Sequence, residues 1–95
     1  MDLEFSGELI HWRGPSPFHF VTVPEEQSAA IEAISSLVTY GWGAIPVHAR
    51  VGRTNFRTSL FPKGELYLVP LKDAVRKAEG LTLGDHVTVR LHLDA

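Results

Sequence analysis

The chain has 95 residues, of which 44% are hydrophobic and 21% charged, with a formal net charge of −2. That length suits one domain over residues 1–95 with a modest core, and the composition excludes extended disorder. There is no cysteine, which excludes disulfides, thiolate nucleophiles and cysteine-ligated zinc and is compatible with a reducing, cytoplasmic setting.

The opening MDLEFSGELI carries Asp2, Glu4 and Glu8 and no basic region before an apolar run, so it does not read as a secretory signal. No stretch reaches transmembrane length. Leu3, Phe5, Gly7, Leu9 and His11 alternate with polar neighbours, which predicts a long first strand, with Gly7 marking a bulge or bend. Arg13 to Pro17 is a turn by composition. Phe18 to Val23 reads as a second strand, antiparallel to the first across a five-residue loop.

Pro24-Glu25-Glu26-Gln27 opens a helix, with proline suited to the first turn and acids at the positive end of the macrodipole. Its apolar stripe is Ile31, Ile34, Leu37 and Val38, and it stops before Gly41. Trp42, between two glycines, reads either as a packing plug or as an aromatic platform for a ligand.

Ile45, Val47, Ala49 and Val51 then alternate with Pro46, His48 and Arg50, and the pattern resumes after Gly52-Arg53 as Thr54, Phe56, Thr58 and Leu60. This is a hairpin. A two-residue turn sets Val51 opposite Thr54, Ala49 opposite Phe56, Val47 opposite Thr58 and Ile45 opposite Leu60 on an apolar face. The second face then pairs Arg50 with Asn55, His48 with Arg57 and Pro46 with Ser59. A slip of one residue would exchange the two faces.

Pro62-Lys63-Gly64 reads as a turn and Glu65 to Val69 as a fifth strand ended by Pro70. Leu71, Ala74, Val75 and Ala78 have helical spacing, with Arg76 and Lys77 in the last turn and Gly80 as the terminating residue. Val87, Val89, Leu91 and Leu93 alternate through a last strand. The order is β-β-α-β-β-β-α-β, and six short strands with one apolar face each are enough to close and remove their edges. The expected fold is therefore mainly β with two helices, a small closed or nearly closed six-stranded Greek-key β-barrel whose ends the helices cap. An open α+β sheet covered by the helices is the alternative. Val47, Phe56, Leu68, Val75 and Val89 are expected in one core.

Charge is uneven along the chain. Residues 33–64 carry Arg50, Arg53, Arg57 and Lys63 and no acid, whereas the segments on either side are net negative. The candidate site follows from this: Arg57, His48, Ser59, Arg50 and Trp42 would supply a few polar groups and an aromatic to an otherwise apolar barrel mouth that takes a small anionic molecule or peptide. The competing reading is that Glu4, Glu8 or Glu65 from a neighbouring strand pairs with Arg57.

Other chemistries fit less well. His86 and His92 are six residues apart on one strand face, roughly 20 Å, so they cannot share a metal ion. Ser59 lies in no nucleophile elbow and no acid in its segment orients His48, so no catalytic residue is assigned. Neither a phosphate loop nor a dinucleotide fingerprint occurs, and no cofactor is expected. Overall acidity disfavours nucleic acid as a partner, despite the local arginines and Trp42, Phe56 and Phe61. An interaction or accessory module without a small ligand remains the alternative function.

Five segments carry a resemblance: FSGE at Phe5–Glu8, GWG-x-x-P-V at Gly41–Val47, RTSLFP at Arg57–Pro62, Y-x-x-P-L-K at Tyr67–Lys72 and A-E-G-L-x-x-G-D-x-V-x-V at Ala78–Val89. Together they resemble the bacterial domain-of-unknown-function family 1905 over nearly the whole chain. The resemblance implies a compact six-stranded Greek-key barrel and brings no activity with it. Leu81–Val89 also looks like the glycine-aspartate box of cradle-loop barrels, a group that includes DNA-binding regulators, but a segment this short implies a structural turn first.

Overall fold

The computed structural model describes residues 1–13, 18–38 and 44–94, with residues 36–38 described by backbone alone. In chain order the elements are β1 (Asp2–Trp12), β2 (Phe18–Thr22), α1 (Glu25–Val38), β3 (Ile45–Val51), β4 (Thr54–Lys63), β5 (Leu66–Leu71), α2 (Asp73–Glu79) and β6 (His86–His92). The strands close into an antiparallel barrel in the order β1-β2-β5-β4-β3-β6. Closure removes the free edges that six short strands would otherwise expose.

Two strands change partners partway along. β1 pairs with β6 from Asp2 to Glu8 and with β2 from Leu9 to Trp12. At this change Gly7 lies so close to β2 that a Cβ would come within 2.7 Å of Val21 Cγ1 and 3.2 Å of the Thr22 carbonyl oxygen. β4 pairs with β3 from Thr54 to Leu60 and with β5 only from Phe61 to Lys63.

The β3–β4 register is the one expected, from Val51 opposite Thr54 to Ile45 opposite Leu60. Period-two alternation turns one phase inward, and that phase builds a continuous core from Phe5, Leu9, Val21, Ile45, Val47, Leu60, Val69, Val89, Leu91 and their neighbours. Ile31 of α1 and Val75 of α2 join the core from the two helices.

The expected core set needs two corrections. Phe56 points inward but is only partly buried against the core. In β5 the inward residues are Tyr67, Val69 and Leu71, so Leu68 is buried on the outward phase, opposite Thr22 and Phe61. Both phases of β5 are apolar, so alternation could not choose between them.

Element ends also differ from expectation. β4 runs through Pro62 and Lys63, and the chain turns at Gly64, whose φ is 62°. Pro70 lies inside β5, opposite Phe20 of β2. It has no N–H to donate, and the β4–β5 ladder has already ended at Leu68. Leu71 belongs to β5 and Ala74 is exposed, which leaves Val75 as the buried anchor of α2. Gly80 ends that helix in the left-handed conformation, its N–H directed to the carbonyls of Arg76 and Lys77.

α1 is fastened to the barrel by polar contacts as well as by Ile31. Ser28 Oγ donates to the Val23 carbonyl at 3.0 Å and accepts the Tyr67 N–H at 3.1 Å. Tyr67 Oη donates to Glu32 Oε2 at 2.7 Å. Burial, reinforced by this carboxylate, pushes the Tyr67 phenol up to about 12 from an ordinary 10.0. Because the folded state favours the neutral phenol, this contribution to stability is present below pH 10 and is lost as pH rises to about 12. Tyr67→Phe is expected to cost about 0.5–1.5 kcal/mol near neutrality and to flatten the alkaline limb of the stability profile, as read from urea melts at increasing pH.

Candidate functional site

The outward phase of β4, β3, β6 and the first half of β1 forms a polar wall crossed by two rungs. One rung is Arg57, His48, His92 and Asp2, and the next is Asn55, Arg50, Arg90 and Glu4. Since directly opposed outward side chains are neighbours, the pairing decides which charges meet. Arg90 Nε lies 2.9 Å from Glu4 Oε1, and His92 Nδ1 lies 2.7 Å from Asp2 Oδ1. The hydrogen bond with His92 holds the Asp2 carboxyl below the usual carboxylate range. Arg50 faces Arg90 across the ladder and donates Nε to the Gly52 carbonyl at 3.0 Å.

Arg57 meets no carboxylate within ion-pair distance among the described residues. Glu4, one of the acids expected to neutralise it, is taken by Arg90.

Beside Arg57 the wall opens. The β4–β5 ladder ends at Phe61 and Leu68, and past that point a groove of about 590 Å³ runs between the two strands. Pro46, His48, Arg57 and Ser59 line one side, Pro70 and Lys72 the other. Phe61 adds an apolar surface, and Asp94 a single carboxylate whose Oδ1 is 3.4 Å from His92 Nε2. The groove thus combines two cations, an imidazole and a hydroxyl with proline and phenylalanine surfaces, a composition able to grip an oxyanion through Arg57 and shield its apolar part.

Three of the sequence-predicted residues, Arg57, His48 and Ser59, come together in this groove. Arg50 lies in an adjoining depression of about 450 Å³ that shares His48. Trp42 lies outside the described residues. The location needs correction: these groups stand on the outer wall of the barrel, not in its mouth, because the interior is filled by the core and the inward phase of β3 and β4 carries Val47, Ala49 and Leu60. Sequence reasoning missed Lys72, Pro70 and Asp94 as groove residues. The turn after Pro62 sets β5 beside β4, but no local pattern says that the ladder stops at Leu68 and leaves Pro70 and Lys72 facing a groove.

The outward phase of β2, β5 and the second half of β1 is mostly apolar. Ile10, Trp12 and Phe61 are exposed, and Phe20 and Leu68 lie buried between them on β2 and β5. Lys63 Nζ sits 4.8 Å from the centre of the Trp12 ring, a cation–π contact. Among the described residues no three His, Asp or Glu side chains converge as a metal site, and no helix is long and apolar enough to cross a membrane.

No curated protein matches the chain. A family model does, over residues 5–91, which run from within β1 to within β6 and take in every element of the barrel. With the closed six-stranded fold in place around that match, the chain belongs to the family described as Domain of unknown function (DUF1905).

Proposed function

We propose that the β4–β5 groove binds a small anionic molecule, or the acidic group of a peptide, with Arg57 as its polar centre. The observation that carries this reading is that Arg57 lines a groove with His48, Ser59 and Lys72 while the acids nearest in the ladder are engaged by Arg90 and His92. A planar guanidinium can hold a carboxylate or phosphate through two hydrogen bonds, which lysine does not match. Nucleic acid is not the proposed partner. Asp2, Glu4 and Asp94 interleave with Arg50, Arg57 and Arg90, so the wall offers no continuous cationic stripe to a phosphate backbone. No catalytic role is proposed for Ser59 or His48.

The test is a thermal-shift screen of small carboxylates and phosphates on the parent protein and on Arg57→Gln. The expected result is a saturable rise in Tm for the parent that disappears in Arg57→Gln, with the unliganded Tm of the variant unchanged within a few degrees. Marked destabilisation by Arg57→Gln and no anion response in the parent would overturn the proposal and leave an accessory module acting without a small ligand as the better reading.

A further inference from the structure

At the α2 end of the barrel the inward phase changes character. After the buried pair Leu9 and Val21, the next inward rung of β1 and β2 is His11 opposite His19, with ring centres 4.5 Å apart. His19 is also directly opposite Leu71, where β5 ends and the chain passes through Lys72 into α2. A cavity of about 400 Å³ opens here, lined by His11, Phe18, His19, Lys72, Asp73 and Arg76.

The donors in this cavity outnumber the acceptors. Arg76, whose side chain is 21% exposed, donates through Nη2 to Asp73 Oδ1. Its Nε is buried and meets no acceptor among the described residues. Neither imidazole has a carboxylate within ion-pair distance among the described residues. Residues 14–17, which join β1 to β2, contain no ionisable side chain. Burial first, then the nearby Arg76 and His11, lowers the pKa of His19. With Arg76 and Lys72 beside a single carboxylate that Arg76 already engages, the pocket carries an excess of positive charge and of donors.

We infer that His11, His19, Lys72 and Arg76 form a second ligand site, separate from the Arg57 groove, that takes a phosphate-type oxyanion. Donors approach from β1, β2, the end of β5 and α2, a spread of directions suited to a tetrahedral anion with several acceptor oxygens rather than to a flat carboxylate. A metal ion is the wrong occupant, since Arg76 and Lys72 repel it and the carboxylate of Asp73 is engaged by Arg76. Bound phosphate would accept from the Arg76 guanidinium and favour the protonated form of His19, opposing the shift that burial imposes. The site does not rest on the reading of the Arg57 groove, although Lys72 borders both cavities.

Histidine-ring NMR during titration with inorganic phosphate tests this, with acetate at matched ionic strength as the control. The expected result is a saturable shift of the His11 and His19 ring signals with phosphate, little response to acetate, and no matching shift of His86. Arg76→Gln should weaken phosphate binding by about tenfold or more, whereas Arg57→Gln should leave it within about twofold. Should Arg76→Gln fail to fold, His19→Gln serves instead, with the His11 ring as reporter and the same loss expected. Equal responses to phosphate and acetate, no saturable shift at His11 and His19, or a response abolished by Arg57→Gln but retained in Arg76→Gln would each overturn the second site. The last of these outcomes would leave the Arg57 groove as the anion site, so the two proposals fail separately.

Discussion

Ser28→Ala is expected to destabilise the protein by about 2–4 kcal/mol, because two buried backbone groups lose their partner at about 1–3 kcal/mol each. Among the described residues Ser28 is the one fully buried polar side chain, and its hydroxyl bridges the Val23 carbonyl and the Tyr67 N–H. That bridge fastens α1 to β5 just where β2 leaves the barrel. Alanine has the better helix propensity, so a helix held only by its apolar stripe would gain slightly from the change. The two accounts predict opposite signs. Urea melts decide between them, and a loss below about 1 kcal/mol would show that the bridge is replaced by water or by local relaxation. A chain of this size loses roughly 4–8 °C in Tm per kcal/mol, so calorimetry should record the same effect as a large shift.

Gly52→Ala is expected to cost a comparable amount, for a different reason. Gly52 sits in the β3–β4 turn at φ 59°, and a Cβ there would lie 1.9 Å from Glu79 Oε1. The left-handed backbone alone costs an L-residue about 1–2 kcal/mol. Glu79 must also move, although its Oε2 accepts the Thr54 hydroxyl at 2.6 Å and ties the end of α2 to β4. Hydrogen bonds to charged groups contribute about 1.5–3 kcal/mol, so a total near 2–4 kcal/mol is expected once the two penalties overlap. A double-mutant cycle separates them. In a Glu79→Ala background, Gly52→Ala should cost only the backbone share. Strict additivity would mean that the turn and α2 are not coupled through Glu79.

These two contacts show where reading from sequence stops. The β3–β4 hairpin was legible because its strands are adjacent in the chain, joined by two residues, and apolar on one phase only, so the turn and the alternation agree on one register. For the same reason His48, Arg57 and Ser59 could be placed together on one face. α1 was legible from its opening residues and α2 from its helical spacing and its terminator, Gly80, although α2 starts at Asp73 rather than Leu71. β5 was not, because Leu66, Leu68 and Pro70 on one phase are as apolar as Tyr67, Val69 and Leu71 on the other. Its phase is decided by β2, which sets Val21 against Val69.

Local patterning, then, determined the elements, their order and the two faces of the central hairpin, since period two, period 3.6 and turn chemistry act over a few residues. Only barrel closure decided that Glu4 meets Arg90 and Asp2 meets His92, partners more than eighty residues apart, and so engaged the acids nearest Arg57 in the ladder. Closure also ended the β4–β5 ladder early to open the groove, and set α2 so that Arg76 and His19 line one cavity. Such juxtapositions depend on which strands pair across the whole chain, and no alternation within a single strand encodes its distant neighbour.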